Sequence, residues 1–230
     1  DVTIDNSVVN NVDNTAVESY AALKLSIEAE NSTITVTNTT INVAGDSVKA
    51  SVSSETGIIT IDGTDAEVKY DVAYISYGAN AYTFSSLQAA IDAAQAGETV
   101  VLIRDVELKE ILVINKSITL DGNGHELTSK AGRAINVSGA VAATIKDLTI
   151  EASGERAINV IQGASNVTIS NVKATAANYA VNVASSAAGS TIEIENSDLT
   201  GLNTVNVAAA NVDVTIDNSV VNNVDNTAVE

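Results

Sequence analysis

Apolar and polar positions alternate along this chain in short bursts, and each burst ends on Asn, Asp or Gly. The frame is hydrophobic-x-hydrophobic-x-Asn. It reads VTISN at 167–171, IEIEN at 192–196, VTIDN at 214–218 and ITVTN at 34–38. Looser copies are ATIKD at 143–147, ITIDG at 59–63 and ITLDG at 118–122. Strict alternation over five residues predicts a strand with one buried face. Aligned copies give columns. Ala143, Val167, Ile192, Val214, Ile34, Ile59 and Ile118 form one inward column, and Ile145, Ile169, Ile194, Ile216, Val36, Ile61 and Leu120 the next. Between them, Thr144, Thr168, Glu193, Thr215, Thr35, Thr60 and Thr119 point outward. Thr is β-branched and polar, which suits an exposed strand face.

The position after each strand is Asp147, Asn171, Asn196, Asn218, Asn38, Gly63 or Gly122. Only Asn, Asp and Gly tolerate a left-handed backbone well. The column therefore predicts a bend with positive φ in every copy, Gly122 and Asn171 included, and Asn side chains there can bond along the column. A second motif lies between the copies. It reads GRAINV at 132–137, ERAINV at 155–160 and NYAVNV at 178–183, with Ala134, Ala157 and Ala180 spaced by 23 residues. NTVNV at 203–207 is a looser version.

A layer of about 22–25 residues with two short strands and a fixed bend cannot bury its apolar face alone, so layers must stack. The prediction is an all-β parallel β-helix, a solenoid. The LxxLxLxxN frame of leucine-rich repeats is missing, and DGNG at 121–124 is the one clear hairpin signal of the kind a β-sandwich needs. One stretch breaks the β pattern. SSLQAAIDAAQA at 85–96 reads as a helix, with Ser85 and Gln88 as a capping box, Gly97 as its stop, and Leu87, Ala90, Ile91 and Ala94 on one face.

The segment TFSSLQAAIDAAQAGETVVLIRDVELKEILVINKSITLDGNGHELT at 83–128 resembles the N-terminal cap and first turns of pectin-lyase-like β-helices, versions of which recur in large bacterial surface proteins. The likeness extends over about residues 83–183. It implies a right-handed helix whose short α-helix covers the open end of the core. Two organisations follow. Residues 1–77 are the end of one β-helix and 78–230 the start of the next, or all layers stack in one column with the helix beside it.

The two ends of the chain carry the same sequence. DVTIDNSVVNNVDNTAVE occupies residues 1–18 and recurs without a mismatch at 213–230, an offset of 212. This points to near-identical tandem repeats of 212 residues, on the order of nine or ten layers each, rather than to an engineered overlap. With no initiator Met and no signal peptide, the chain reads as a segment of a longer protein.

Composition narrows the function classes. Only 3% of residues are aromatic although 45% are hydrophobic, which suits thin aliphatic layers better than one thick core. The net charge of −18 opposes binding to nucleic acid or to anionic membranes. Cysteine is absent, which excludes disulfides and thiolate metal sites. His125 is the one histidine and reads as structural, with no evident Asp, Ser or Cys partner. Arg133 and Arg156 are expected to stack on an outer face, with Glu155 beside them. Asp121, Asp62 and Asp65 lie near Gly-rich bends, but their spacing matches no calcium loop. No catalytic, metal or cofactor site is expected. The expected role is a non-catalytic stalk or filament segment of an extracellular bacterial surface protein, with neighbouring repeats as partners. The alternatives are a glycan-binding adhesin module, which few aromatic platforms would support, and a polysaccharide lyase or hydrolase, which lacks its acid cluster.

Overall fold

The computed structural model describes residues 1–10, 21–27, 32–42, 48–54, 58–61, 68–77 and 80–224. Asp62, Gly63 and Asp65 of the expected bends lie outside these residues. The chain divides into two compact units, residues 1–71 with 83–89, and residues 72–82 with 90–230.

The larger unit is built from one recurring coil. Strand Ala142–Ala152 bends at Asp147, and Arg156–Ile161 follows. The next coil repeats this with Asn166–Ala176, bent at Asn171, and Tyr179–Val183. Each coil thus has three straight runs, and each run pairs with its counterpart one coil away. The pairing is parallel and in the predicted register. Leu120, Ile145, Ile169, Ile194 and Ile216 are successive Cα partners. So are Leu127, Ile150, Ala174, Leu199 and Val221 after the bend. On the third sheet Leu112, Ile135, Ile158, Val181 and Val205 align. The result is a parallel β-solenoid of about five turns with little helix.

The core is a stack of aliphatic side chains. Ile145, Ile150, Ile158 and Ile169 are fully buried. Branched aliphatics pack well on a pleated surface, and each coil supplies the floor of the next. The alternation expected from sequence holds, since Thr119, Thr144, Thr168, Glu193 and Thr215 are partners in register and none is buried. Ile216 departs from its column in one respect. It is 44% exposed, because its coil has a described neighbour on one side only.

The smaller unit uses the same coil. Strands Val2–Asp5, Thr33–Thr37 and Ile58–Ile61 pair in parallel. Val8–Asn10 pairs with Thr40–Asn42, and Ala21–Ile27, Val48–Ser54 and Val68–Tyr70 form a third sheet. Leu25, Ile34 and Val36 make its buried cluster, with Ile4 and Leu23 against them.

Two features differ from expectation. The parallel order stops at Thr99–Leu102, whose other neighbour, Ala73–Tyr77, runs antiparallel to it. The helix is Leu87–Ala93, shorter than 85–96. Its cap is Ser86, whose Oγ accepts the Ala89 N–H at 3.3 Å, and not Ser85. The apolar face is as predicted, with Leu87, Ala90, Ile91 and Ala94 all buried. Lys116 Nζ donates to the Ala94 carbonyl at 3.1 Å, where a cation offsets the unpaired carbonyls of a helix C-terminus.

Candidate functional site

The bend column is the most regular feature of the outer surface. Asp147, Asn171, Asn196 and Asn218 have φ of 52°, 52°, 50° and 43°, and Asn6 and Asn38 both have φ of 47°. Gly122 does not follow. The left-handed residues of its coil are Asn123, at φ 51°, and Gly124, at φ 82°. Glycine is required at 122 for space instead. A Cβ there would lie 2.5 Å from the Asp147 carbonyl oxygen and 2.5 Å from Leu148 Cδ1. The tight approach is used, because the Gly122 N–H donates to the Lys146 carbonyl at 2.8 Å.

Beside this column runs an open groove of about 480 Å³, lined among others by Asp121, Asn123, Asp147, Asn171, Lys173 and Asp198. Its charges are already partnered in places. Lys146 bonds Asp121 of the preceding coil and Asp147 Oδ2 at 2.9 Å. Asn171 Nδ2 donates to Asp147 Oδ1 at 2.7 Å. The Asn171 bond, followed by the Lys146 ammonium, holds the Asp147 carboxyl below its ordinary range. The two carboxylates, Asp121 first, raise Lys146 above its ordinary value. Farther along, Asn218 Nδ2 donates to Asn196 Oδ1 at 2.6 Å. These groups tie one coil to the next.

His125 has a partner that sequence did not suggest. Its Nδ1 lies 3.3 Å from Asp105 Oδ1, and the same oxygen accepts the Glu126 N–H at 2.9 Å. Asp105 precedes strand Val106–Leu108, which pairs with Glu126–Ser129, so the histidine bridges adjacent coils. Lys130 and Glu107 do the same at 2.8 Å on an exposed face. Arg133 and Arg156 are Cα partners, as predicted. Arg156 Nη2 meets Glu155 at 3.3 Å, and its guanidinium lies 5.5 Å from the ring centre of Tyr179, the next residue in that column. A cation over an aromatic face is attracted by the ring's quadrupole.

Among the described residues, the longest side-chain ladder lies in the AINV motif. Asn206 donates to Asn182 at 2.7 Å, Asn182 to Asn159 at 2.7 Å, and Asn159 to Asn136 at 2.8 Å. Asn136, Asn159 and Asn182 are buried. A carboxamide has a donor on one side and an acceptor on the other, so a column of Asn at coil spacing satisfies itself. The fixed Asn in GRAINV, ERAINV, NYAVNV and NTVNV was the signal for it.

No protein family, no curated protein and no solved structure matches the chain.

Among the described residues, no group of three or more His, Asp or Glu side chains is arranged to hold a metal ion. Asp121, a candidate from its Gly-rich bend, is engaged by Lys146. No helix among the described residues is long and apolar enough to cross a membrane.

Proposed function

We propose that this chain is a non-catalytic structural segment, a stalk or filament element of a tandem-repeat bacterial surface protein, whose repeats stack end to end. The observation that carries the reading is the duplicated 18-residue sequence at 1–18 and 213–230. A spacer gains length by repeating itself, and a solenoid adds coils without altering those already present. The side chains support the same role. Asn ladders, the Asp121–Lys146–Asp147 cluster, the His125–Asp105 contact and the Lys130–Glu107 pair all join coil to coil. The surface location rests on the resemblance of residues 83–128 to pectin-lyase-like segments of large bacterial surface proteins.

The rival arrangement is a string of beads with a hinge near Gly78–Asn80, of which residues 78 and 79 lie outside the described residues. Small-angle scattering on chains of one, two and three repeats separates the two. A rod gains a constant increment in maximum dimension, roughly 45 Å per repeat at about 4.8 Å per coil. Scattering curves that require independent motion between repeats would refute the stalk.

A further inference from the structure

We infer that residues 213–223 carry a docking edge whose partner is residues 33–42 of a second copy of this sequence, so that one coil is shared by two successive repeats. The inference rests on the tandem reading above and specifies its joint.

The two copies of the duplicated sequence fold alike. Val2–Asp5 and Val8–Asn10 in one correspond to Asp213–Asp217 and Val220–Asn223 in the other. The bend residue is left-handed in both, at Asn6 and at Asn218. Ser7 Oγ donates to the Asp5 carbonyl at 2.9 Å, and Ser219 Oγ to the Asp217 carbonyl at 2.7 Å. Their neighbours differ. Residues 2–5 and 8–10 pair with 34–37 and 40–42, which follow them in the chain. Residues 213–217 and 220–223 pair with 191–195 and 198–201, which precede them.

These two sets of bonds use opposite edges. The Ser7 carbonyl accepts the Thr40 N–H at 2.9 Å, whereas the Val220 N–H donates to the Ser197 carbonyl at 2.8 Å. Ser7–Val8 and Ser219–Val220 are the same peptide unit in the two copies. In a trans peptide the C=O and N–H point in opposite directions, so a single coil makes both bonds at once. Apolar exposure agrees. Of the core-facing positions, Val2 is 54% exposed in the first copy, and Ile216 and Val221 are 44% and 46% exposed in the second. Merging the two copies into one coil gives it a neighbour on both sides.

The charges select the occupant. Asp1 accepts Thr33 Oγ1 at 2.6 Å, and Asp5 accepts Thr37 Oγ1 at 2.7 Å and Asn38 Nδ2 at 3.3 Å. Asp213 and Asp217 present the same carboxylates at the free edge. Residues 33–42 supply donors for them. A coil of the duplicated sequence stacked there would instead set Asp where Thr33 and Thr37 supply their hydroxyls, and both hydroxyl bonds would be lost.

The test is hydrogen exchange on two chains, the 230-residue chain and one in which a second copy of residues 19–230 follows Glu230 directly. Asp213 uses its N–H on the preceding coil, to the Ser190 carbonyl. In a parallel ladder the amides alternate between neighbours, so those of Val214 and Ile216 face the free edge. They are expected to exchange ~100-fold or more slowly in the doubled chain. Unchanged rates, with the Ile145 and Ile169 amides of the second copy protected, would overturn the inference. A second measurement uses the absence of cysteine. Thr215→Cys with Thr35→Cys of the second copy is expected to close a disulfide under mild oxidation, because Thr3 and Thr35 are Cα partners. Failure to close in a folded chain would also overturn it. Slowed amides together with flexible scattering would refute the stalk and leave the shared coil standing.

Discussion

Asn159 and Asn171 are the same residue type under different demands. Asn171 holds a left-handed bend at the surface, where its short side chain also reaches Asp147. Asn159 sits fully buried in a strand, donating to Asn136 and accepting from Asn182. Replacing it with Ala removes both bonds, strands a donor and an acceptor in the interior and leaves a void. Asn159→Ala is expected to cost about 2–4 kcal/mol in a chemical-denaturation titration. A loss under about 1 kcal/mol would mean that the ladder contributes order rather than stability. Gly122 shows a limit of reading composition alone. Asn, Asp and Gly share a column, yet Gly122 is there for a close approach and its neighbours Asn123 and Gly124 take the positive φ.

Within elements, the helix separates what pattern fixes from what context adjusts. Spacing of Leu87, Ala90, Ile91 and Ala94 predicted the buried face correctly, because 3.6-residue periodicity is a property of the helix itself. Two adjacent serines precede its first residue, and either can cap. Ser86 makes the bond. Ser86→Ala is therefore expected to destabilise by about 1 kcal/mol and Ser85→Ala by less than about 0.5 kcal/mol, read from thermal midpoints. The reverse order would restore the cap at Ser85. The third strand of each coil is a second case. In Arg133–Ser138, Arg156–Ile161 and Tyr179–Val183 successive positions are buried on both faces, as in Ala157, Ile158, Asn159 and Val160, so no alternation announces them. Recurrence at 23 residues does.

Across the whole molecule, stability depends on where a coil lies in the stack. Ile145 and Ile216 occupy the same column, but Ile145 is fully buried between two coils and Ile216 is 44% exposed. Ile145→Ala should cost about 2–5 kcal/mol and Ile216→Ala less than about 1 kcal/mol in the 230-residue chain. In the doubled chain the cost at Ile216 should rise toward that at Ile145, since its coil then has neighbours on both sides. Equal costs at both sites in the 230-residue chain would contradict nearest-neighbour stacking as the source of stability.

Sequence by itself determined what is local and repeated in this protein. That includes the alternation that aims Ile145, Ile169 and Ile194 inward, the left-handed bends at Asp147, Asn171, Asn196 and Asn218, and the register in which coils pair. Each follows from backbone sterics or side-chain period, and repetition made each visible many times. Tertiary structure decided the contacts that occur once. Asp105 meets His125 across a coil of 20 residues, shorter than its neighbours, where no repeat exposed the pairing. The antiparallel strand Ala73–Tyr77 beside Thr99–Leu102 was equally unannounced. Such contacts depend on which segments packing brings together, and a strand's own alternation is the same whichever direction its neighbour runs.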